Sequence, residues 1–408
     1  MIQFRDYQEQ IIERGTSIIR RYGFVYLAME VRTGKTLTSL GICQRLGAQN
    51  VLFITKKKAI SSIEGDYNLL APEYAMTTIN YESLHKIPKI KWDVIVCDEA
   101  HGMGAFPKPS KRAKDVSKLL RTTGAKVILL SGTPTPESYS QMYHQVYGIP
   151  NNPFHFYKNF YRFADQMVYK SQKKIGTHTI NDYSKGKESI MKRMQPYTIS
   201  FSQKDAGFVV DTHERALFVK MCDHTYAMAK QLKKDLVLEG KEEVVLADTA
   251  VKLMGKLHQM YSGTVKFESG NSMVLDYSKA EFIKERFKGK KIGIFYKFKE
   301  ELNALKAVFG DSLCTELDDF NGSDKNIALQ IVSGREGISL READALVYYN
   351  IDFSATSYWQ SRDRMTTKDR KKNDVYWVFA EGGIETRIYK AVINKKDYTL
   401  KHFKKDFL

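Results

Sequence analysis

The sequence predicts an α/β protein built on two parallel sheets, with a mostly helical stretch between them. Three observations carry that expectation. Short apolar runs of strand length alternate with longer runs of helical spacing. The alternation occupies two blocks, 1–148 and 271–408, and the residues between, 149–270, have a different texture. The polar residues that fit neither pattern fall where apolar runs end, which in a parallel sheet is the edge where loops gather into a site. A chain of 408 residues also exceeds what one core of ordinary size holds.

The first block begins with a helix over residues 1–22, carried by Ile11, Ile12, Ile18 and Ile19. Before its apolar face stands Phe4-Arg5-Asp6-Tyr7-Gln8. The amide of Gln8 offers a donor and an acceptor together, which suits an adenine edge, although a surface glutamine is the commoner reading. Phe24–Ala28 is a buried strand, and Leu37, Leu40, Cys43 and Leu46 fall at helical spacing. Between them lies Met29-Glu30-Val31-Arg32-Thr33-Gly34-Lys35-Thr36. Strand, loop, Gly-Lys-Thr, helix is the order of a phosphate-binding loop, whose amides and helix N-terminus cradle phosphate oxygens. Lys35 would then reach the β- and γ-phosphates, and Thr36 would place its hydroxyl on Mg²⁺. Met29 stands where the usual pattern has its first glycine, and Gly-Lys-Thr alone is weak support.

The support comes from Val94-Ile95-Val96-Cys97-Asp98-Glu99-Ala100-His101. Its apolar residues lead two carboxylates to the end of a buried strand, where a nucleotide fold keeps its second Mg²⁺ ligand and its water-activating base. Three further strands are Val51–Thr55, which runs into Lys56, Lys57 and Lys58; Thr77–Tyr81, polar at its exit with Asn80 and Tyr81; and Lys126–Leu130, which leads into Ser131-Gly132-Thr133-Pro134.

Ile149–Pro153 is a turn-rich break. Beyond it, residues 154–204 interleave aromatics with cations. Two readings stay open there: rings that stack bases among phosphate-binding cations, or rings that form a small helical core. Residues 214–261 read as helical, with Leu217, Met221, Met228, Leu232, Leu253 and Leu257. In the second block, strands are expected at 291–296, 327–332, 345–349 and 375–379, with Ser333-Gly334-Arg335-Glu336-Gly337 following the second of these. Gln360, Arg362 and Arg364 supply polar groups near the end, and the tail is rich in lysine.

The formal charge is +17, from 64 Lys and Arg against 47 Asp and Glu. Such a balance favours a polyanionic partner, with a solvated lysine surface as the plainer alternative. Four dispersed cysteines without a C-x-x-C pair suggest neither a zinc site nor a disulfide framework. No apolar run has the ~18 residues of a membrane span, and the N-terminus has no signal-like apolar region. A reducing, cytoplasmic location, without membrane association, is expected.

Taken in order, the motifs resemble those of superfamily 2 helicases and translocases, and most of all the Swi/Snf-type DNA translocases in a compact, phage-like form. Phe4–Gln8 resembles the leading element whose glutamine meets adenine. Glu30–Thr36 resembles motif I, Asp98–His101 is similar to a DEAH box, and Ser131–Pro134 is similar to motif III. Ile292–Tyr296 sits where motif IV falls. Gly334–Leu340 resembles motif V, Gln360–Arg364 the start of motif VI, and Gly383–Tyr389 the family's closing element.

The resemblance implies two RecA-like P-loop domains sharing one Mg-ATP, with a helical insertion at 149–270. It implies ATP contacts from Arg5, Gln8, Arg32, Thr33, Gly34, Lys35, Thr36, Gly337 and Arg362. The metal would be held by Thr36 and Asp98, and catalysis carried by Lys35, Asp98, Glu99, Gln360 and Arg364. His101, Ser131, Gly132 and Thr133 would couple the nucleotide to a nucleic-acid grip formed by Lys56, Lys57, Asn80, Tyr81, Ser333, Gly334 and Arg335. The implied partner is DNA, duplex or branched, bound by a monomer. One position departs from the family: where motif VI has a second arginine, this chain has Thr367. An RNA helicase, and an ATP-sensing clamp with feeble turnover, are the rival readings.

Overall fold

The computed structural model describes residues 3–175, 178–207, 211–240, 243–331, 339–354, 361, 365 and 372–394. The chain divides into two compact units, Met1–Phe208 and Val209–Leu408.

In the first unit, apolar runs become β1 (Phe24–Met29), β2 (Asn50–Thr55), β3 (Ala75–Asn80), β4 (Val94–Cys97) and β5 (Lys126–Leu130). An antiparallel hairpin, β6 (Ser171–Ile175) and β7 (His178–Asp182), and then β8 (Thr198–Phe201) follow. The sheet order is β3-β2-β4-β5-β1-β8, and every neighbouring pair is parallel. Parallel neighbours require crossovers, which the helices Lys35–Arg45, Ile60–Leu70 and Lys111–Thr123 supply. Alternate side chains feed cores on opposite faces. Phe24, Leu52, Ile95 and Val127 enter one, and Val25, Val51, Val96 and Ile128 the other. Because all six strands run the same way, their carboxyl ends share one edge. The loops after β1, β2, β3, β4 and β5 therefore meet there, and these are the loops that carry the polar motifs.

The second unit contains β9 (Asp211–Val219), two small antiparallel pairs, and a second parallel sheet. The pairs are β10 (Val237–Glu239) with β11 (Val244–Leu246), and β12 (Thr264–Lys266) with β13 (Ser272–Val274). The remaining strands are β14 (Ile292–Tyr296), β15 (Leu313–Cys314), β16 (Asn326–Gln330), β17 (Ala345–Tyr348) and β18 (Lys372–Ala380). Their order is β15-β16-β14-β17-β18-β9, again with every pair parallel. Two parallel sheets, each between apolar layers, confirm the expected α/β class.

The helical insertion expected at 149–270 does not form a body of its own. Residues up to 208 belong to the first unit and the rest to the second. The stretch contributes a strand to each large sheet: β8 extends the first beside β1, and β9 extends the second along the full length of β18. Helix was expected over 214–261, but Asp211–Val219 is a strand, and β10 and β11 separate the helices Asp223–Asp235 and Ala250–Met260. The helical spacing of Leu217 with Met221 spans a strand end and a loop. An edge strand has only one neighbour and buries few side chains, so β9 carries charge through its first half and shows no clear apolar run.

Candidate active site

The loop after β1 turns through two left-handed residues, Arg32 at φ 63° and Gly34 at φ 79°. Gly34 caps the helix Lys35–Arg45, whose first-turn amides have no partner within the helix and face the loop. Thr33 is fully buried and its hydroxyl donates to the Glu30 carbonyl at 2.7 Å. The Lys35 ammonium lies 3.3 Å from the same carbonyl. The loop is held from outside by residues the sequence reading did not single out. The Tyr7 hydroxyl donates to the Thr33 carbonyl at 3.2 Å. Gln203, just past β8, donates its backbone amide to Glu30 Oε2 at 2.7 Å and its side-chain amide to the Val31 carbonyl at 3.0 Å.

Gln8, expected at an adenine edge, lies against the phosphate-binding loop. It is buried, its Oε1 accepts from the Arg5 amide at 3.1 Å, and its Nε2 lies 3.5 Å from the Gly34 carbonyl and 3.4 Å from Thr38 Oγ1. The amide thus braces the phosphate-binding loop. Arg5 is exposed and its guanidinium donates to the Tyr7 hydroxyl at 3.0 Å.

Asp98 and Glu99 follow β4. The Thr55 hydroxyl, at the end of neighbouring β2, donates to Asp98 Oδ2 at 2.8 Å. Glu99 takes a left-handed backbone, φ 50°, which turns its carboxylate out of the strand direction. Burial, and then the adjacent Glu99, push the Asp98 carboxyl above the usual carboxylate range. Burial acts on Glu99 in the same sense, but the His101 ring, Lys35 and Lys56 outweigh it and hold that carboxyl low. The loop carrying Lys35 and the acidic pair leave the sheet at the same edge, and the Lys35 charge draws both carboxyls down.

The His101 ring lies between two loops. Its Nδ1 is 3.0 Å from Ser131 Oγ and 3.1 Å from Glu99 Oε2. One ring nitrogen cannot serve both, and the alignment satisfies a hydrogen bond only with Ser131. Glu99 Oε2 is left buried without a hydrogen-bond partner. Ser131 also accepts from the Thr133 amide at 3.1 Å. Gly132 packs close under the phosphate loop: a Cβ there would sit 3.5 Å from the Met29 carbonyl and 3.6 Å from Lys35 Nζ. Beneath, the Tyr26 hydroxyl donates to Gln145 Oε1 at 2.7 Å, and Gln145 Nε2 donates to the Pro134 carbonyl at 2.8 Å, which ties the Ser131–Pro134 loop to β1.

Of the expected nucleic-acid contacts, Lys57 is exposed, and Lys56 and Asn80 are half-buried at the same sheet edge. Tyr81 is a correction. Its ring is buried at 2% exposure and its hydroxyl donates to the Asp98 carbonyl, so it supports the acidic loop from below. Ser333, Gly334, Arg335, Gly337, Gln360, Arg362 and Arg364 lie outside the described residues, as does Thr367. Their described neighbours Ser361 and Met365 are fully buried, and the Tyr348 hydroxyl meets Ser361 Oγ at 2.6 Å.

The donor set fits Mg²⁺. Two adjacent half-buried carboxylates end a strand at the same sheet edge as a threonine at a helix start; a Mg²⁺ site of this type takes few protein ligands and completes itself with phosphate and water. Among the described residues no group of three His, Cys, Asp or Glu gathers as a self-sufficient metal site.

A lysine-bearing phosphate loop facing a paired-acid strand end, on a parallel sheet, defines a P-loop ATPase core of superfamily 2 type. The family model for the SNF2-related domain matches residues 27–265, more than half of the chain, and the chain belongs to that family, the Swi/Snf-type branch. Membership implies use of ATP. The CHD3-type chromatin-remodeling factor CHR7 of Arabidopsis thaliana is 19% identical over 91% of this chain and 35% of its own length, so the chain spans about a third of that relative. Two solved structures are similar at 16% identity. The Sulfolobus solfataricus SWI2/SNF2 ATPase core in complex with dsDNA covers 96% of this chain and 91% of its own, with a TM-score of 0.45. The Sulfolobus solfataricus SWI2/SNF2 ATPase core domain covers 97% and 89%, with a TM-score of 0.43. Among the described residues no helix is long and apolar enough to cross a membrane.

Proposed function

We propose that this chain is a DNA-stimulated ATPase that moves along DNA, duplex in preference, as a monomer in the cytoplasm. The observation that carries the reading is that the loops of Lys35, Asp98 and Glu99, and the His101–Ser131 pair lie at one sheet edge, with His101 Nδ1 within 3.1 Å of Glu99 Oε2. Family membership and the chromatin-remodeling relative support DNA over RNA.

The loop amides and Lys35 bind the phosphates, with Arg32, Thr33 and Gly34 shaping the cradle. Thr36 and Asp98 would hold Mg²⁺, which when bound neutralises phosphate charge. Glu99 Oε2, buried beside the His101 ring, is the site where an attacking water is oriented and its proton accepted. Gln360, Arg362, Arg364 and Gly337 are assigned by motif alone, with Arg364 as the group that stabilises charge on the γ-phosphate. Lys56, Lys57 and Asn80, with Ser333, Gly334 and Arg335 by motif, contact the nucleic-acid backbone, so salt dependence is steep and sequence preference weak. The His101–Ser131 bond, at 3.0 Å, links the water-activating loop to the loop of Gly132 and Thr133.

The test is steady-state ATP hydrolysis with duplex DNA, single-stranded DNA or RNA. Stimulation by DNA is expected, and Lys35→Ala and Glu99→Gln should each abolish turnover while leaving DNA binding intact. Stimulation by RNA alone would overturn the DNA assignment; absence of any stimulation would leave an ATP-sensing clamp.

A further inference from the structure

The two readings of the aromatic stretch after residue 154 separate in the structure. Phe154, Tyr157, Phe160, Phe163 and Tyr183 are buried in the first unit's core. Three rings of the same stretch are not: Phe156 is 72% exposed, Tyr169 64% and Tyr161 46%. Single exposed rings are ordinary on protein surfaces. Phe156 is different because of where it stands. It lines an open cleft of about 810 Å³ together with Lys158, Arg162, Asp165, Gln166 and Arg193. Lys158, Arg162 and Arg193 are exposed, and the one carboxylate among them, Asp165, is shared between Lys170, outside the cleft lining, and a long contact of 3.9 Å from Arg162, so the cations outnumber it. The His155 ring leans over one face of Phe156, with centroids 3.7 Å apart and planes tilted by 38°, and helps to hold that exposed ring in place.

We infer that this cleft is a second nucleic-acid surface that takes an unpaired stretch of strand. The inference rests on the DNA reading above but concerns a different part of the first unit. The cations select a polyanion, and two of the three are arginines, whose planar fork suits phosphate oxygens. The exposed ring selects among polyanions. In a duplex the base faces are covered by their neighbours, whereas an unpaired base offers a face to stack on an aromatic side chain. An acidic protein segment would satisfy the cations but has no use for the ring. The motor would therefore hold a frayed or displaced strand here while its sheet edge tracks the backbone.

The experiment is equilibrium binding of the intact protein, without nucleotide, to a labelled oligo(dT) and to a duplex of equal length across a salt series. Phe156→Ala is expected to weaken oligo(dT) binding about 5- to 100-fold and leave duplex binding unchanged, since stacking acts only on unpaired bases. Arg162→Gln with Arg193→Gln should lower the slope of log affinity against log salt for oligo(dT) by about 1.4, at about 0.7 per phosphate contact. All three side chains are exposed, and unstimulated ATP hydrolysis serves as the fold control. If the unmodified protein binds both probes and the variants bind them equally well, the cleft assignment falls and the DNA reading stands. If Phe156→Ala weakens both probes alike, the unpaired-strand assignment falls. If the unmodified protein binds neither probe, both readings fall.

Discussion

Lys279→Met should cost the second unit much of its stability. The Lys279 ammonium lies 2.7 Å from Glu385 Oε1, and both side chains have no exposed surface. Nζ also donates to the Tyr349 carbonyl at 3.2 Å. On the other side, Glu385 Oε1 accepts from the Ala380 amide at 3.4 Å, while Oε2 has no hydrogen-bond partner. Gly383 packs against it, and a Cβ there would come within 2.1 Å of Oε2 and 3.0 Å of the Ala380 carbonyl. The carboxylate has no route to water, so removing the lysine leaves a charge in an apolar site. Breaking one side of such a pair costs about 3–5 kcal/mol. The unit runs from 209 to 408, and for domains of that size each kcal/mol is worth about 2–4 °C, so a fall of about 6–20 °C in its melting transition is expected. Calorimetry on the intact chain reads this directly. The double variant Lys279→Met, Glu385→Leu should recover most of the loss, because an apolar pair of similar volume carries no desolvation penalty. A single variant that loses less than ~1 kcal/mol, or a double variant no better than the single, would refute the reasoning. The outcome also bears on the closing motif: in this reading Glu385 anchors the helix Glu385–Val392 and takes no part in chemistry.

Three further variants probe the first unit. Ser131→Ala removes the partner of His101 Nδ1; unstimulated hydrolysis should persist while stimulation by DNA falls roughly tenfold, the worth of about one hydrogen bond, and unchanged stimulation would deny that this bond couples the loops. Tyr81→Phe removes the donor to the Asp98 carbonyl; urea unfolding should show a loss of about 1–2 kcal/mol with DNA affinity unaltered, and a selective loss of affinity would return Tyr81 to the nucleic-acid face. Arg32→Gly relieves a left-handed arginine, worth about 1 kcal/mol, so stability should hold or rise while the KM for ATP increases about tenfold or more; an unchanged KM would show that the guanidinium does not touch phosphate.

Much of the catalytic edge was legible from residue order. Buried parallel strands are nearly continuous apolar runs, so β1, β2, β4 and β5 stood out, and the residues that ended them had to lie on one edge. Lys35, Asp98 and Glu99 were expected on that ground and His101 and Ser131 through the family resemblance, and the fold brings the loops that carry them to one sheet edge. Tyr81 was misread because position at a strand exit says nothing about which way a side chain turns, and this one turns under Asp98.

What needed the tertiary structure was every contact between residues distant in sequence. Gln203 holds Glu30 and Val31 from more than 170 residues away. The contacts of Gln8 with Gly34 and Thr38, across about 30 residues, follow from how the first helix packs on the next. β8 and β9 escaped notice because each has only one sheet neighbour and a mixed burial pattern, so neither leaves a clean apolar signature. The sequence by itself determined which chemistry the chain carries, since that depends on residue types at strand ends. The three-dimensional packing decided what each of those side chains meets, since burial and alignment are properties of neighbours that no local stretch contains.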